Sequence, residues 1–193
     1  MDIAFIKTKK RMEFPEHEEM FCFIESYMGY LPYSYLLMAE NPDLLTAFSG
    51  LTNTVFGSNE IDNQTKQLIA LATSLSSGCK YCQSHTSHGA ERAGVSVEKI
   101  SKILDYENSD LFSNQEKSVL NLAFASGKVP NQATKKHFDN LNKYFTSSQI
   151  TMIVSVISLF GFLNRWNDTF GTEIEKIPGD FVEDELVPLG WMK

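Results

Sequence analysis

Apolar residues recur along this chain at intervals of three and four, the spacing of one face of a helix, from about residue 17 to about residue 174. His17 to Met28 carries Met20, Phe21, Phe23, Ile24 and Tyr27 in that rhythm, with Cys22 inside the pattern and expected in the core. Gly29-Tyr30-Leu31-Pro32 reads as a turn, and Pro32 can open a helix through Met38. Asn41-Pro42 starts the next, with Leu44, Leu45, Phe48 and Leu51 inward, ending before Gly57-Ser58. Residues 62 to 77 place Leu68, Leu71, Ala72 and Leu75 on one stripe. From Cys79 to Ala93 there is no proline and one glycine, Gly89, so a helix is expected there, bounded by Gly78 and Gly94. Ser96 caps a segment with Val97, Ile100, Ile103 and Leu104. Ser113 with Glu116, and Thr146 with Gln149, are capping boxes for two further helices. Between them Lys128-Val129-Pro130 is a break, and Phe138, Leu141 and Phe145 share a face. The run from Ser148 to about Ile174 is apolar almost all round at first, which predicts a central, buried helix. No β-hairpin signal interrupts the pattern. The expectation is one all-α domain over 1–193 with about eight helices, its acidic tail, 178–193, wrapping the surface.

Composition narrows the function classes. A chain of 193 residues, 42% hydrophobic, can bury a full core. Its net charge of -7 repels phosphate backbones, which argues against nucleic acid as a partner. No apolar run reaches the roughly 18 residues that span a bilayer, and Met1 to Arg11 lacks the apolar core of a signal peptide. A cytoplasmic protein with no membrane partner is expected. Three cysteines are too few for a secreted disulfide framework.

Candidate chemistry concentrates in Cys79-Lys80-Tyr81-Cys82-Gln83-Ser84-His85-Thr86-Ser87-His88. A C-x-x-C pair can close a small disulfide ring, and the N-terminus of a helix favours a thiolate. Zinc is the first rival, since Cys79, Cys82, His85 and His88 form a Cys₂His₂ set. On one helix their ends lie roughly 13 Å apart along the axis, whereas one ion needs every ligand within about 2.3 Å. No metal and no cofactor are expected. Thioredoxin-like exchange sits on a βαβ scaffold, and strands are absent here. What remains is a dithiol that attacks a peroxide O–O bond, resolves the sulfenic acid with the second thiol, and needs a proton donor for the leaving alkoxide. His85, one turn beyond Cys82, is within reach to relay that proton, and His88 is turned away toward surface or partner. The alternative is a non-enzymatic redox switch, which would show no turnover with peroxide and a dithiol.

The stretch from Gln67 through the small-residue turn at Gly78 to Cys79-Lys80-Tyr81-Cys82 and His85 resembles the alkylhydroperoxidase D / carboxymuconolactone decarboxylase superfamily, in its peroxidase-related branch. Gly29-Tyr30-Leu31-Pro32, Asn41-Pro42 and Phe162-Leu163-Asn164-Arg165-Trp166-Asn167-Asp168 are similar to that branch as well, so the resemblance covers about residues 28 to 175. It implies an all-helical fold, reduction of a small-molecule hydroperoxide at the expense of a thiol or dithiol reductant, and assembly into trimers or hexamers. By the same resemblance Cys82 is the attacking thiol and Cys79 the resolver. Two departures stand out. The family's relay glutamate, twelve residues before the first cysteine, is Gln67 here, and its relay histidine position, four residues after the second cysteine, is Thr86. The relay is then expected to be rebuilt around His85 without a carboxylate. The intact C-x-x-C argues for redox chemistry over lactone decarboxylation.

The inward stripe Ile153, Val156, Ile157, Phe160 continues onto Asn164 and Asn167, polar side chains that need partners in a core. Arg165 and Asp168, three apart, could pair on the same helix. This cluster is either a structural network or a lining of the thiol pocket or of a subunit interface.

Overall fold

Caps and breakers set the element boundaries. In the computed structural model, which describes residues 1–191, the elements are α1 Glu18–Met28, α2 Tyr33–Met38, α3 Pro42–Gly57, α4 Asn63–Ser77, α5 Lys80–Arg92, α6 Val97–Ser101, α7 Asn114–Ser126, α8 Lys135–Leu141, α9 Ser147–Phe170 and α10 Lys176–Phe181. Asn41 caps α3 by accepting from the Leu44 N–H, and Asp62 does the same for α4 at Thr65. Both capping boxes form as expected. Gly78 ends α4 at φ +86, a left-handed conformation that a side chain would strain. Among the described residues the only β-type pairing is an isolated bridge between Asp2 and Lys7. The fold is all-α.

The centre of the fold is α4, not α9. From Leu68 to Ser74 every residue of α4 is buried, and the helix packs against α5, α7 and α9. In α9 one face is buried through Ile153, Val156, Ile157, Phe160, Asn164 and Asn167, while Thr151, Ser158 and Phe162 are exposed. Those exposed positions border a shallow apolar groove with Leu44 and Leu51 of α3 and Phe138 of α8. Apolar composition predicted burial, but an apolar surface groove reads the same way in sequence. By length and composition the 24-residue α9 is also apolar enough to cross a membrane, although no uninterrupted apolar run suggested it.

The C-terminal segment does not wrap the surface. Pro178 falls in the first turn of α10, where an N–H lacks an intrahelical partner anyway, so it permits a helix where the sequence suggested a break. Pro178, Val182 and Leu186 are buried, and the segment packs on α5 and α6. The last two residues of the tail, 192–193, lie outside the described residues. Cys22 also departs from expectation: it is exposed, its sulfur 3.3 Å from Arg11 Nη2, because the buried stripe of α1 passes through Phe21 and Ile24 instead.

Candidate functional site

The cysteine turn is held from three sides. Gly78 reverses the chain, and Cys79 becomes the N-cap of α5, its sulfur accepting the Cys82 N–H at 3.3 Å. Ser77 Oγ donates to the Gly127 carbonyl at 3.0 Å and accepts from Asn164 Nδ2 at 3.1 Å, tying the turn to the end of α7 and to α9. Both thiols are free and buried, with Leu163 of α9 packed against them. Asn167 Nδ2 reaches Cys82 Sγ at 3.6 Å.

A thiolate at this helix start was expected to be favoured outright. Burial outweighs the helix: it pushes the Cys82 thiol well above its ordinary value, with the hydrogen bond to Cys79 adding to the rise and Asn167 opposing it. Unfolded, the thiol ionises near pH 8.5. The folded protein keeps its proton beyond that, so the stabilising contribution is complete below about pH 8.5 and is lost as pH rises further. The rate of Cys82 alkylation by iodoacetamide, followed by peptide mass spectrometry, is expected to climb roughly tenfold per pH unit past pH 9. A plateau below pH 8 would mean that the helix start wins after all.

His85 is held by both ring nitrogens. Nδ1 lies 2.8 Å from the Tyr81 carbonyl, and Nε2 lies 2.6 Å from Glu175 Oε2. The Tyr81 ring stacks on the imidazole at 3.9 Å. Glu175 Oε1 accepts from the Tyr81 hydroxyl at 2.9 Å and from the Tyr33 N–H. A carbonyl only accepts, so Nδ1 carries a hydrogen. The contact between Nε2 and Oε2 sets an imidazole and a carboxylate, groups that can hold and hand over a proton, against the site wall.

His85 does meet a carboxylate, where the sequence offered none. Glu175 is 7% exposed and occupies the N-cap position of α10, yet its side chain does not cap that helix and turns inward to accept the first N–H of α2. No sequence signal marks it: a glutamate between Ile174 and Lys176 reads as a solvated residue. Gln67 lies instead across Gly89, its Oε1 2.7 Å from where a Cβ would stand. Thr86 Oγ1 bonds back to the Cys82 carbonyl at 2.7 Å.

The remaining predicted residues divide. Asn167 reaches the thiol and Asn164 the turn before it. Arg165 and Asp168 are exposed, and among the described residues no ion pair joins them. Asp168 acts on Cys82 only through its charge, a minor upward push. His88 is not turned away: it is half-buried between Tyr30 and Phe181, with ring centroids at 5.8 and 5.6 Å. Burial, and then the charge of Arg92, lower its pKa. Sequence placed His88 on a free surface because the C-terminal segment that covers it could not be foreseen. Among the described residues no three metal-ligating side chains cluster.

Cys82, His85, His88, Gln67 and Asn167 all line one cavity of about 330 Å³ between α1, α3, α5 and α9. Its other walls are mostly apolar, with Phe23, Tyr30, Phe56 and Phe160 among them. Cys79 does not line it. That geometry gives one thiol access to a molecule in the cavity and keeps the second behind it.

No curated protein matches the sequence. Residues 42–125 match the carboxymuconolactone decarboxylase family. Among solved structures, the apo debrominase Bmp8 is 34% identical, covers 92% of this chain and 95% of its own, and superposes with a TM-score of 0.86. A cysteine-to-alanine variant of Bmp8 in complex with 2,3,4-tribromopyrrole is similar at 33% identity, with 95% and 97% coverage and a TM-score of 0.87. An uncharacterized peroxidase-related protein from Ralstonia eutropha, with an alkylhydroperoxidase core, shares the fold at 18% identity, 92% and 95% coverage and a TM-score of 0.82. Helical architecture, the cysteine turn between α4 and α5, and these likenesses converge: the chain belongs to the carboxymuconolactone decarboxylase and alkylhydroperoxidase D superfamily.

Proposed function

We propose that the protein is a dithiol-dependent reductase of organic hydroperoxides. The observation that carries this reading is the asymmetry of the two thiols: Cys82 opens onto the apolar cavity, and Cys79 stands behind it with its sulfur on the Cys82 N–H. The Cys82 thiolate attacks the outer peroxide oxygen, the O–O bond breaks, and Cys82 becomes a sulfenic acid. The departing alkoxide takes a proton that the His85–Glu175 pair delivers through cavity water, and the proton that Cys82 gives up on forming its thiolate refills the pair. Cys79 then attacks the sulfenic sulfur, the hydroxyl leaves as water with the Cys79 proton, and a disulfide closes. An external thiol or dithiol returns both cysteines to thiols. Apolar walls favour an organic hydroperoxide over hydrogen peroxide.

Likeness to Bmp8 favours a second reading, reductive dehalogenation. The same attack on an aryl-bound bromine breaks the carbon–bromine bond, leaving a sulfenyl bromide on Cys82 and a ring carbanion that takes a proton from the His85–Glu175 pair. Cys79 then displaces bromide to form the disulfide. The electron balance is identical, with one dithiol oxidised per substrate.

The test offers cumene hydroperoxide and tribromopyrrole in separate reactions with dithiothreitol. Consumption beyond one equivalent per site, with cumyl alcohol as product and a Cys79–Cys82 disulfide in the peptide mass spectrum, is the expected result. Bromide release without peroxide turnover would select the second reading. A single equivalent consumed with either compound would leave a redox switch and sink both.

A further inference from the structure

We propose that Arg92 sets the substrate class of this site: an elongated apolar molecule carrying a carboxylate or similar anionic group at the end remote from the reacting atom. The dithiol reading matters here only for what happens at Cys82. Helix α5 presents Cys82, His85, Gly89 and Arg92 along the cavity wall, at steps of three or four residues. Ten residues of helix separate the first from the last by about 15 Å along the axis. A flexible arginine leaning toward the helix N-terminus shortens that span to roughly 10–15 Å. Between them Gly89 has no side chain, and the facing walls are aromatic and aliphatic, so an apolar body can lie along the helix.

The lining is unbalanced in charge. It contains no aspartate, glutamate or lysine, and Arg92 is its one permanent charge. The chain as a whole has 24 acidic and 17 basic residues, and Arg11, for comparison, is bridged to both Glu18 and Glu25. Among the described residues Arg92 meets no carboxylate.

Arg92 is anchored all the same. Its Nη2 donates to the Tyr27 carbonyl at 3.0 Å, at the C-terminal end of α1. Its Nη1 lies 3.2 Å from where a Cβ on Gly29 would stand, so the left-handed Gly29 leaves the guanidinium its seat. Capping α1 accounts for one of five N–H donors. Arg92 is exposed and borders the cavity, and a guanidinium fork suits a planar carboxylate. His88 adds no charge of its own there, because burial and Arg92 disfavour its protonation.

The experiment measures binding, so it does not depend on turnover. Decanoate and 1-decanol are titrated into the reduced protein by calorimetry, with Arg92→Met and Arg92→Lys alongside. Decanoate is expected to bind the parent more tightly than the alcohol, to lose roughly fivefold in Arg92→Met, and to recover in part in Arg92→Lys. The alcohol should not distinguish the three proteins. Equal affinity for acid and alcohol in the parent, no binding of either, or equal weakening of both in Arg92→Met would overturn the proposal. Loss of peroxide and halide turnover with this pattern intact would overturn the reaction and leave the anion site standing.

Discussion

Cys82→Ser should reduce substrate consumption to the uncatalysed level, while Cys79→Ser should still react once per site and then stop. The difference follows from where the sulfurs stand. Cys82 touches the cavity, so a hydroxyl in its place removes the one thiol among its lining residues. Cys79 is wholly buried behind it, so its loss spares the first attack and removes only the resolving step. Rapid mixing with one equivalent of hydroperoxide, followed by intact mass, separates the cases: Cys79→Ser should gain one oxygen on Cys82, and Cys82→Ser should gain none there. Should Cys82→Ser retain parent-like turnover, the exposed Cys22 would become the only thiol left to explain it outside this site.

Removing the carboxylate that the sequence concealed should be nearly as damaging. Glu175→Gln keeps an acceptor for the Tyr81 hydroxyl and the Tyr33 N–H but presents no negative charge to His85. The pair can then no longer hand a proton over, and turnover is expected to fall roughly 10²-fold, the low end for losing general acid–base help. His85→Ala should fall by a similar factor, and the double variant little further, because the two residues act as one unit. Glu175→Ala leaves buried donors without a partner and should also destabilise the fold by about 3 kcal/mol. The kinetic claim rests on Glu175→Gln, whose melting temperature and alkylation rate at Cys82 are the controls. A variant that folds, alkylates normally and still turns over like the parent would remove Glu175 from the mechanism.

Burial of Cys82 gives the pair its importance. A thiol whose proton is held by an apolar surrounding is a poor nucleophile at rest, and only Asn167 among its contacts favours the thiolate. Such a site is protected from casual oxidation and depends on a molecule filling the cavity beside it. The cost of that protection is the need for proton-transfer groups nearby, which Tyr81, His85 and Glu175 assemble from α5 and the strap between α9 and α10.

Local rules settled much of this protein from its sequence alone. The helical class, the caps at Asn41, Ser113 and Thr146, the glycine reversal before Cys79, and the inward aim of Asn164 and Asn167 all depend on neighbours within a few residues. Periodicity and capping chemistry report such neighbours directly. What escaped it depends on parts of the chain far apart in sequence. Glu175 meets His85 ninety residues away; His88 is covered by Phe181; α9 keeps an exposed apolar side; and Arg92 finds its seat on Gly29. A short pattern carries no information about which distant surface will cover it. The expected thiolate failed for the same reason, since the helix start is local but the dryness around Cys82 comes from α9. Sequence determined which residues could do chemistry, and tertiary packing decided which of them share a cavity and a low-dielectric wall.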